Sequence, residues 1–414
     1  MVSVMRGRFR LDLNEVSGSF GDLATFLPLA IGLVTVNGVN ATSLFLSAGL
    51  LYIVAGLYYG IPIPVQPLKA TSAIAIVLAV RPEAISAAAF WMGVLFVSVS
   101  LFNVNGLYGK IFTRPIVRGI QLGLGILLVK GGLSALFGSL SMLSLGGREI
   151  SPVFGALVGA AIAGIIVLSR ENRRYPAALA VLAFGIVAGG ASTSFAALSS
   201  VSLGWIRPEW GIPAGADLYT VFIVLLLPQI PLTFANSVVA TADTADRYYG
   251  EDARKVTPRA LAATLGIGNL FAGLIGGMPV CHGSGGVTAH YRFGARTGAA
   301  SVFIGGVFVL LALFFGESLP DLCRLLPVPV LGALLIHIGV QHARLVRDVL
   351  DSAHESAVVA AIGLVTLATG NLAIAFGVGI LLNAIIARLL WRSASRKAAQ
   401  GMSPIGGGLR DGAA

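Results

Sequence analysis

Residues 60–80 read GIPIPVQPLKATSAIAIVLAV, a stretch in which three prolines precede a helix-compatible run. Pro62, Pro64 and Pro67 remove three backbone donors and favour extended backbone. A half-helix is therefore expected to begin near Pro67, because proline suits the first position of a helix. Irregular backbone between long apolar stretches is tolerated in a membrane only where it is buried in protein or lines a watery cavity.

A second stretch has the same character. Residues 276–298 read GGMPVCHGSGGVTAHYRFGARTG, in which residues 278–282 form an extended approach. Gly283, Ser284, Gly285 and Gly286 then offer exposed backbone amides, and Ser284 is expected to cap a second half-helix. The sequence thus predicts two broken helices.

The composition places both stretches in an all-α polytopic membrane protein. Of 414 residues, 56% are hydrophobic and only 11% are charged. Apolar runs near the roughly 20 residues that a helix needs to cross hydrocarbon recur along the chain, leaving no room for a sizeable aqueous domain. The start of the chain lacks the features of a secretory signal, so the first span is expected to remain. Cys281 and Cys323 indicate no disulfide framework.

The hydropathy pattern predicts fourteen spans, of which the third and tenth are interrupted. They lie at roughly 20–37, 41–58, 62–80, 86–105, 113–133, 152–169, 176–192, 217–237, 259–277, 279–291, 298–316, 326–342, 355–369 and 371–391.

The basic residues predict the orientation of these spans. With a cytoplasmic amino terminus, most of the 28 Lys and Arg fall in cytoplasmic loops. The opposite face receives only Arg81, Lys130, Arg148, Arg207 and Arg324. Both termini are therefore expected in the cytoplasm. Since the positive charges are spread over short loops, the net charge of +10 indicates topology rather than a nucleic-acid partner.

The two halves of the chain correspond weakly but in order. Pro64 in GIPIPVQ and Pro279 in GGMPVCH are 215 residues apart, and Pro115 in TRPIVRG and Pro329 in PVPVLGA are 214 apart. Seven spans per half is an odd number, so the second repeat must be inverted in the membrane. The expected organisation is a cytoplasmic N-terminus (1–19), a first repeat (20–192), a linker (193–216), a second repeat (217–391) and a short cytoplasmic tail (392–414).

The broken helices are expected to form the binding site. The amino end of each half-helix presents unpaired N–H groups and a partial charge of about +0.5. Two such ends, together with Lys69, make an electropositive cavity near the midplane. The expected cargo is an oxyanion.

Several side chains are candidates for this site, and each has a simpler alternative. Lys69 could instead extend its stem to an interface, His282 could be a packing histidine, and Cys281 a small apolar filler. Gln66 and Ser284 are neutral donors that could also satisfy broken backbone. The candidate ligands are Gln66, Lys69, Asn236, Cys281, His282, Gly283, Ser284 and Gly285.

Two carboxylates flank the candidate site. Asp22 lies near the start of the first span, where an acid inside a membrane points to function, although it could simply cap a helix. Asp243 and Asp246 are expected in the inner loop after the eighth span. The candidate proton carriers are Asp22 and His282.

At these residues the chain resembles the molybdate transporters related to sulfate permeases. The resemblance rests on PVQPLKA at Pro64–Ala70, on PVCHGSGGVTAHYRFGARTG at Pro279–Gly298 and on GDLATFLPL at Gly21–Leu29. It implies a seven-plus-seven inverted repeat, with a core part of spans 1–4 and 8–11 and a gate part of spans 5–7 and 12–14. It also implies a homodimer in the inner (plasma) membrane. The chain ends about 20 residues after the last span, without the cytosolic domain of many sulfate permeases, which suits the molybdate branch.

The function that follows is secondary active uptake of molybdate by alternating access. Moving a dianion into a negative interior costs about 2.3 kcal/mol per charge per 100 mV, so protons are the expected coupling ion. Sulfate is the alternative substrate, because residue spacing does not separate two tetrahedral dianions, and a nucleobase permease of the same fold is a third reading. An enzyme built on Cys281 or Ser284 is disfavoured, because Cys281 reaches His282 only in an unusual geometry. A soft-metal carrier lacks carboxylates, a channel stays open as an alternative, and no cofactor is expected.

Overall fold

The computed structural model describes residues 9–102, 113–137, 152–168, 184, 185, 187, 201–324 and 328–399. The first half contains α1 (Leu13–Ser19), α2 (Leu23–Thr35), α3 (Ala41–Tyr59), β1 (Gln66–Pro67), α4 (Lys69–Val77), α5 (Pro82–Phe102), α6 (Arg114–Phe137) and α7 (Pro152–Leu168). The second half contains π-helical turns at Thr220–Leu226 and Thr233–Ala240 on either side of α8 (Leu227–Leu232), then α9 (Thr241–Tyr249), α10 (Pro258–Leu274), β2 (Val280–Cys281), α11 (Ser284–Arg292), α12 (Ala299–Phe315), α13 (Leu319–Arg324), α14 (Val328–Arg344), α15 (Ala353–Thr369) and α16 (Leu372–Ala399).

These helices confirm an all-α polytopic membrane protein. The described segments that are long and apolar enough to cross a membrane are Ala41–Tyr59, Pro82–Phe102, Arg114–Phe137, Thr220–Ala253, Pro329–Val349 and Leu372–Ser393. Shorter apolar helices occupy Thr25–Thr35, Ala299–Phe315 and Ala353–Thr369. Most of the span expected at 176–192 lies outside the described residues, so the full count of fourteen stays a prediction.

The third and tenth segments are interrupted, as the prolines and glycines predict. Each carries a nine-residue helix, α4 or α11, after an extended approach. Two details differ from the expectation. Pro67 lies in β1 opposite Val280 rather than at the first helical position. Gly283, not Ser284, is the N-cap residue of α11, because the backbone of Gly283 is extended and Ser284 is already the first helical residue. The Ser284 hydroxyl donates to Asn236 rather than to the helix.

The eighth span is longer than the hydropathy pattern predicts. Helical structure continues through α9 to Tyr249, so Asp243 and Asp246 lie on a helix rather than in a loop. The continuation is amphipathic: Thr241 and Ala245 are buried one turn apart, while both acids are exposed. The hydropathy pattern ends this span at residue 237, before the polar stretch Thr241–Tyr249. Mean hydropathy does not detect a helix in which only one face is buried.

Glycines allow the long helices to cross closely. Helix α6 packs against α14 through reciprocal contacts at Gly125 and Gly339. A Cβ added at Gly125 would lie 2.6 Å from the Gly339 carbonyl oxygen, and one added at Gly339 would lie 2.8 Å from that of Gly125. Helix α3 meets α12 in the same way through Gly49 and Gly305. In lipid, where apolar surfaces gain little from meeting each other, such close backbone approach stabilises helix pairs by van der Waals contact.

Candidate functional site

Two short strands cross where the half-helices begin. Strand β1 pairs with β2 in antiparallel register, with Gln66 opposite Cys281, and the Leu68 amide donates to the Pro279 carbonyl at 2.9 Å. The Asn269 side chain satisfies both the N–H and the C=O of Val280, at 2.9 and 2.7 Å. Broken backbone in the apolar interior is thereby paired, and the amino ends of α4 and α11 are held at one crossing.

The amino end of α11 is open. Among the described residues, no acceptor bonds the backbone N–H groups of Gly283, Ser284 or Gly285. Gly285 is exposed, and a Cβ built on it would have no atom within 4 Å. The Ser284 hydroxyl donates to Asn236 Oδ1 at 2.8 Å. This helix end therefore presents free donors, a polar rim and open space.

The amino end of α4 is partly occupied. Gln229 Oε1 accepts hydrogen bonds from the amides of Ala70 and Thr71, at 2.8 and 3.1 Å. Gln229 Nε2 in turn donates to the Thr233 hydroxyl at 2.8 Å. The expectation of two open helix ends thus holds for α11, whereas a side chain of the eighth span caps α4.

Lys69 is the first residue of α4, and it is partly exposed. Its ammonium group has no hydrogen-bond or ion-pair partner within the described ranges. It lies close enough to interact electrostatically with the carboxyl of Asp22 and the thiol of Cys281. An intramembrane cation without a bonded partner is by default a candidate functional residue.

Asp22 and Gln66 form a buried pair beside the open helix end. Asp22 is 1% exposed and Gln66 is 0% exposed. Gln66 Nε2 donates to Asp22 Oδ1 at 2.6 Å, and the Tyr52 hydroxyl donates to Asp22 Oδ2 at 3.5 Å. Gln66 Oε1 has no partner among the described residues and lies 2.8 Å from the position of a Cβ on Gly283. One end of the amide thus contacts the carboxylate, and its other end lies next to α11.

His282 and Cys281 are packed away from this group. His282 is fully buried, with Nδ1 bonded to the Pro64 carbonyl at 2.8 Å and Nε2 to the Thr264 hydroxyl at 3.0 Å. Cys281 is 2% exposed, and its thiol donates to the Pro67 carbonyl at 3.7 Å. Both ring nitrogens of His282 are occupied, so in this conformation neither is available to cargo. The structure brings together Asp22, Gln66, Lys69, Asn236, Gly283, Ser284 and Gly285.

Sequence reasoning missed three residues of the site. Gln229 stands between two prolines in LPQIPL, a signal that could have marked a polar group at a distorted turn. Tyr52 and Asn269 lie inside α3 and α10 with no local signal, and only the tertiary contacts reveal them. The π-helical turn at Thr233–Ala240 carries Asn236, and such turns often occur at functional sites.

The residues gathered at the amino ends of α4 and α11 suit a small anion. It offers backbone donors at a helix amino end, amide and hydroxyl side chains, and a lysine. The described residues contain no group of three or more His, Cys, Asp or Glu placed to hold a metal ion.

Comparisons with known proteins identify the family of this chain. A family model described as "Molybdate transporter of MFS superfamily" matches residues 14–128 and 221–341. Molybdate transporter 2 of Arabidopsis thaliana is 26% identical over 421 residues, covering 91% of this chain and 89% of its own. Molybdate transporter 1 of Chlamydomonas reinhardtii is 28% identical over 454 residues, covering 82% of this chain and 84% of its own.

Two solved anion transporters have a similar fold. The transmembrane domain of the cyanobacterial bicarbonate transporter BicA aligns with a TM-score of 0.63 and 18% identity, over 89% of this chain and 96% of that one. The inward-facing murine anion transporter Slc26a9 aligns with a TM-score of 0.65 and 16% identity, over 92% of this chain and 70% of that one. At these identities the similarity shows the fold alone. The family match covers more than half of the chain, and the protein therefore belongs to the molybdate transporter family.

Proposed function

We propose that the protein is a secondary active transporter that takes up molybdate by alternating access. Family membership and the names of the relatives support this substrate. The observation that carries the proposal is the open amino end of α11, whose Ser284 and Gly285 amides have no acceptor in the described structure. A tetrahedral dianion supplies acceptors for these donors, and its charge is stabilised by the helix dipole and by Lys69.

Helix α11 contributes more hydrogen bonds to the bound anion than α4 does. Gln229 already satisfies two amides of α4, so α4 contributes mainly the charge of Lys69 and its dipole. The amides of Gly283, Ser284 and Gly285 contribute hydrogen bonds, with Asn236 and Gln66 at the rim. Cys281 and His282 act as positioning residues, because His282 joins the extended segment at Pro64 to Thr264 of α10.

Protons are the coupling ion in this proposal, and Asp22 is the group that carries them. With Asp22 ionised, Gln66 donates its N–H to the carboxylate and leaves Oε1, an acceptor, beside Gly283. When Asp22 binds a proton, its O–H can donate to Gln66 Oε1, and the amide turns over to present its N–H group at the anion site. Protonation thereby replaces a repulsive acceptor with a donor where the oxyanion binds.

The proposal includes fourteen spans arranged as two inverted repeats, 20–192 and 217–391, joined by a linker at 193–216. Two features of the fold support it. Gly125 and Gly339, which are 214 residues apart, contact each other reciprocally, as equivalent positions on a two-fold axis would. Strands β1 and β2, also equivalent under this offset, pair with each other in antiparallel fashion.

The two inverted repeats divide the transporter into a core part and a gate part, which move relative to each other. Spans 1–4 and 8–11, which carry the site, form the core, and spans 5–7 and 12–14 form the gate. Both termini, at 1–19 and 392–414, lie in the cytoplasm of a cell whose inner membrane holds the protein as a homodimer.

Binding to the purified full-length chain tests the substrate. Titration calorimetry in detergent with molybdate, tungstate, sulfate and uracil is expected to give binding by the two larger oxyanions, with weaker binding of sulfate. Lys69→Ala is expected to reduce affinity about tenfold or more, equivalent to about 1.4 kcal/mol. Lys130→Ala, which removes an exposed lysine of α6 outside the site, is expected to leave affinity unchanged. Tight sulfate binding would make the protein a sulfate transporter, and tight uracil binding without molybdate binding would make it a nucleobase permease.

A further inference from the structure

Helix α14 presents an apolar face to the helices that carry the anion site. Leu331, Leu335 and Ile338 are buried and follow one another at spacings of four and three residues, which places them on one face of the helix. A small cavity is lined by the two leucines together with residues of α2 and with Ile76 and Val77 of α4. This face of α14 therefore lies across the boundary between the proposed gate and the proposed core.

His342 continues this face near the last residue of the helix, Arg344. It follows Ile338 by four residues, so its side chain lies on the same face. Val340 and Arg344 instead line a groove beside α6 that does not include His342. The histidine is half-buried. It is thus a polar residue at one end of an otherwise apolar face, and in the proposed orientation this end is the cytoplasmic one.

Lys69 lies at the matching end of α4. The helix runs from Lys69 to Val77, and Val77 lines the small cavity together with Leu335. Lys69 is close enough to His342 for the two side chains to interact electrostatically. Helices α4 and α14 therefore pass each other in opposite directions. Apolar side chains face each other at one end of this contact, and a lysine faces a histidine at the other.

Neither ring nitrogen of His342 has a hydrogen-bond partner in the described part of the chain. Its Nδ1 atom is buried, whereas Nε2 is not. His282 differs in this respect, because both of its nitrogens bond protein groups, at Pro64 and Thr264. A buried N–H without an acceptor is costly, so the proton of the neutral His342 ring belongs on Nε2, where a ligand could accept a hydrogen bond from it.

We propose that His342 binds the transported oxyanion from the gate side, by donating its Nε2–H to one oxygen of an anion that also interacts with Lys69. This inference rests on the proposed function, because it takes the anion to bind at Lys69 and the amino end of α11. Among the described residues Lys69 also lacks a bonded partner, and one anion would supply acceptors for both side chains. A tetrahedral oxyanion has four oxygens, so donors on α4, α11 and α14 need not compete.

The contact makes the cargo part of the junction between core and gate. Lys69 belongs to the proposed core and His342 to the proposed gate, so an anion that bonds both stabilises the conformation in which the two residues are close. A conformation in which the core has moved away from α14 lacks this bond. The anion therefore binds the two conformations with different affinities, which is what a ligand needs in order to shift the equilibrium between them.

Calorimetry with molybdate on the purified full-length chain in detergent tests the contact. His342→Leu removes the donor and is expected to weaken binding about tenfold. His342→Gln keeps a side-chain N–H group and is expected to bind within about threefold of the wild type. His337→Leu is the matched control, since His337 is also half-buried on α14 but bonds Gln341 at 2.8 Å, and its affinity is expected to be unchanged.

Thermal unfolding without molybdate separates a binding role of His342 from a structural one. Leucine removes an unpartnered buried nitrogen from an apolar face, so His342→Leu is expected to unfold at the wild-type temperature or above it. Lower stability of this variant, wild-type affinity in it, or equal weakening in His342→Gln would overturn the proposal. A wild-type chain that does not bind molybdate would contradict the proposed function as well, whereas normal wild-type binding together with any of these results would contradict only the role of His342.

Discussion

Adjacent glycines at the start of α11 have different physical roles. A Cβ on Gly286 would lie 2.5 Å from the Pro64 side chain, so this glycine permits the close crossing of the two broken segments. Gly285 has no such neighbour and faces open space. Its lack of a side chain is therefore explained by access to the amides rather than by packing.

Gly285→Ala is expected to weaken molybdate binding several-fold while leaving the fold intact. The added methyl group meets no protein atom, but it occupies space in front of the free amides. Gly306→Ala is the matched control, because a Cβ at Gly306 also has no neighbour within 4 Å and lies in the middle of α12. Calorimetry and thermal unfolding of both variants check the prediction. Equal affinity in both variants would show that the anion does not bind at this helix end.

Asp22→Asn is expected to abolish the pH dependence of uptake. The asparagine resembles a protonated aspartate in offering a donor to Gln66 Oε1, so molybdate binding is expected to be retained at all pH values. In the wild type, uptake into proteoliposomes is expected to rise as the external solution becomes more acidic. An unchanged pH profile in the variant would remove Asp22 from the coupling scheme.

At the scale of elements, the helix pairs depend on glycines at their crossings. Gly339→Ala is expected to destabilise the protein by about 1–3 kcal/mol, since the new Cβ would lie 2.8 Å from the Gly125 carbonyl oxygen and the helices would have to separate. The control is Gly377→Ala in α16, where nothing lies within 4 Å of the added carbon. Thermal unfolding in detergent measures the difference, and equal stability of the two variants would contradict the crossing described above.

A half-helix as short as α4 is stabilised by side chains from other elements that bond its ends. Nine residues form a marginal helix in isolation. Here the Gln229 side chain caps the start of α4, and the Asn37 amide donates to the carbonyls of Ala75 and Val80 near its end, both at 2.8 Å. Neither cap is predictable from residues 60–80, because Asn37 and Gln229 lie in other elements.

At the scale of the whole molecule, the distribution of basic residues predicts two distinct faces. Arg254 and Arg207 are both exposed and are expected on the cytoplasmic and external faces, respectively. Cys281 and Cys323 are buried, so background labelling is expected to be low. In intact cells, a membrane-impermeant maleimide is expected to label Arg207→Cys from outside and Arg254→Cys only after permeabilisation. The reverse pattern would invert the orientation, and labelling of both from one side would rule out the proposed span count.

Much of the fold and part of the site could be predicted from local signals. The interruptions at Pro62–Pro67 and Gly283–Gly286 follow from proline and glycine backbone chemistry, and the apolar runs follow from the length needed to cross lipid. The boundaries were less predictable where polar residues continue a helix, as they do through Asp243 and Asp246 in α9. Mean hydropathy detects segments that are apolar on all sides. A helix such as α9 can continue through polar residues as long as one of its faces is buried.

The sequence by itself determined that this is a membrane-embedded protein with two broken helices and a lysine at one of them, because each of these features depends on residues that are neighbours in the chain. Only the tertiary structure decided which helix end stays open. Gln229 occupies two amides at the start of α4. The contacts of His282 with Pro64 and Thr264 occupy both of its ring nitrogens, and the Asp22–Gln66 pair lies beside α11. These outcomes depend on hydrogen bonds between residues far apart in sequence, and such bonds form only once the helices have packed.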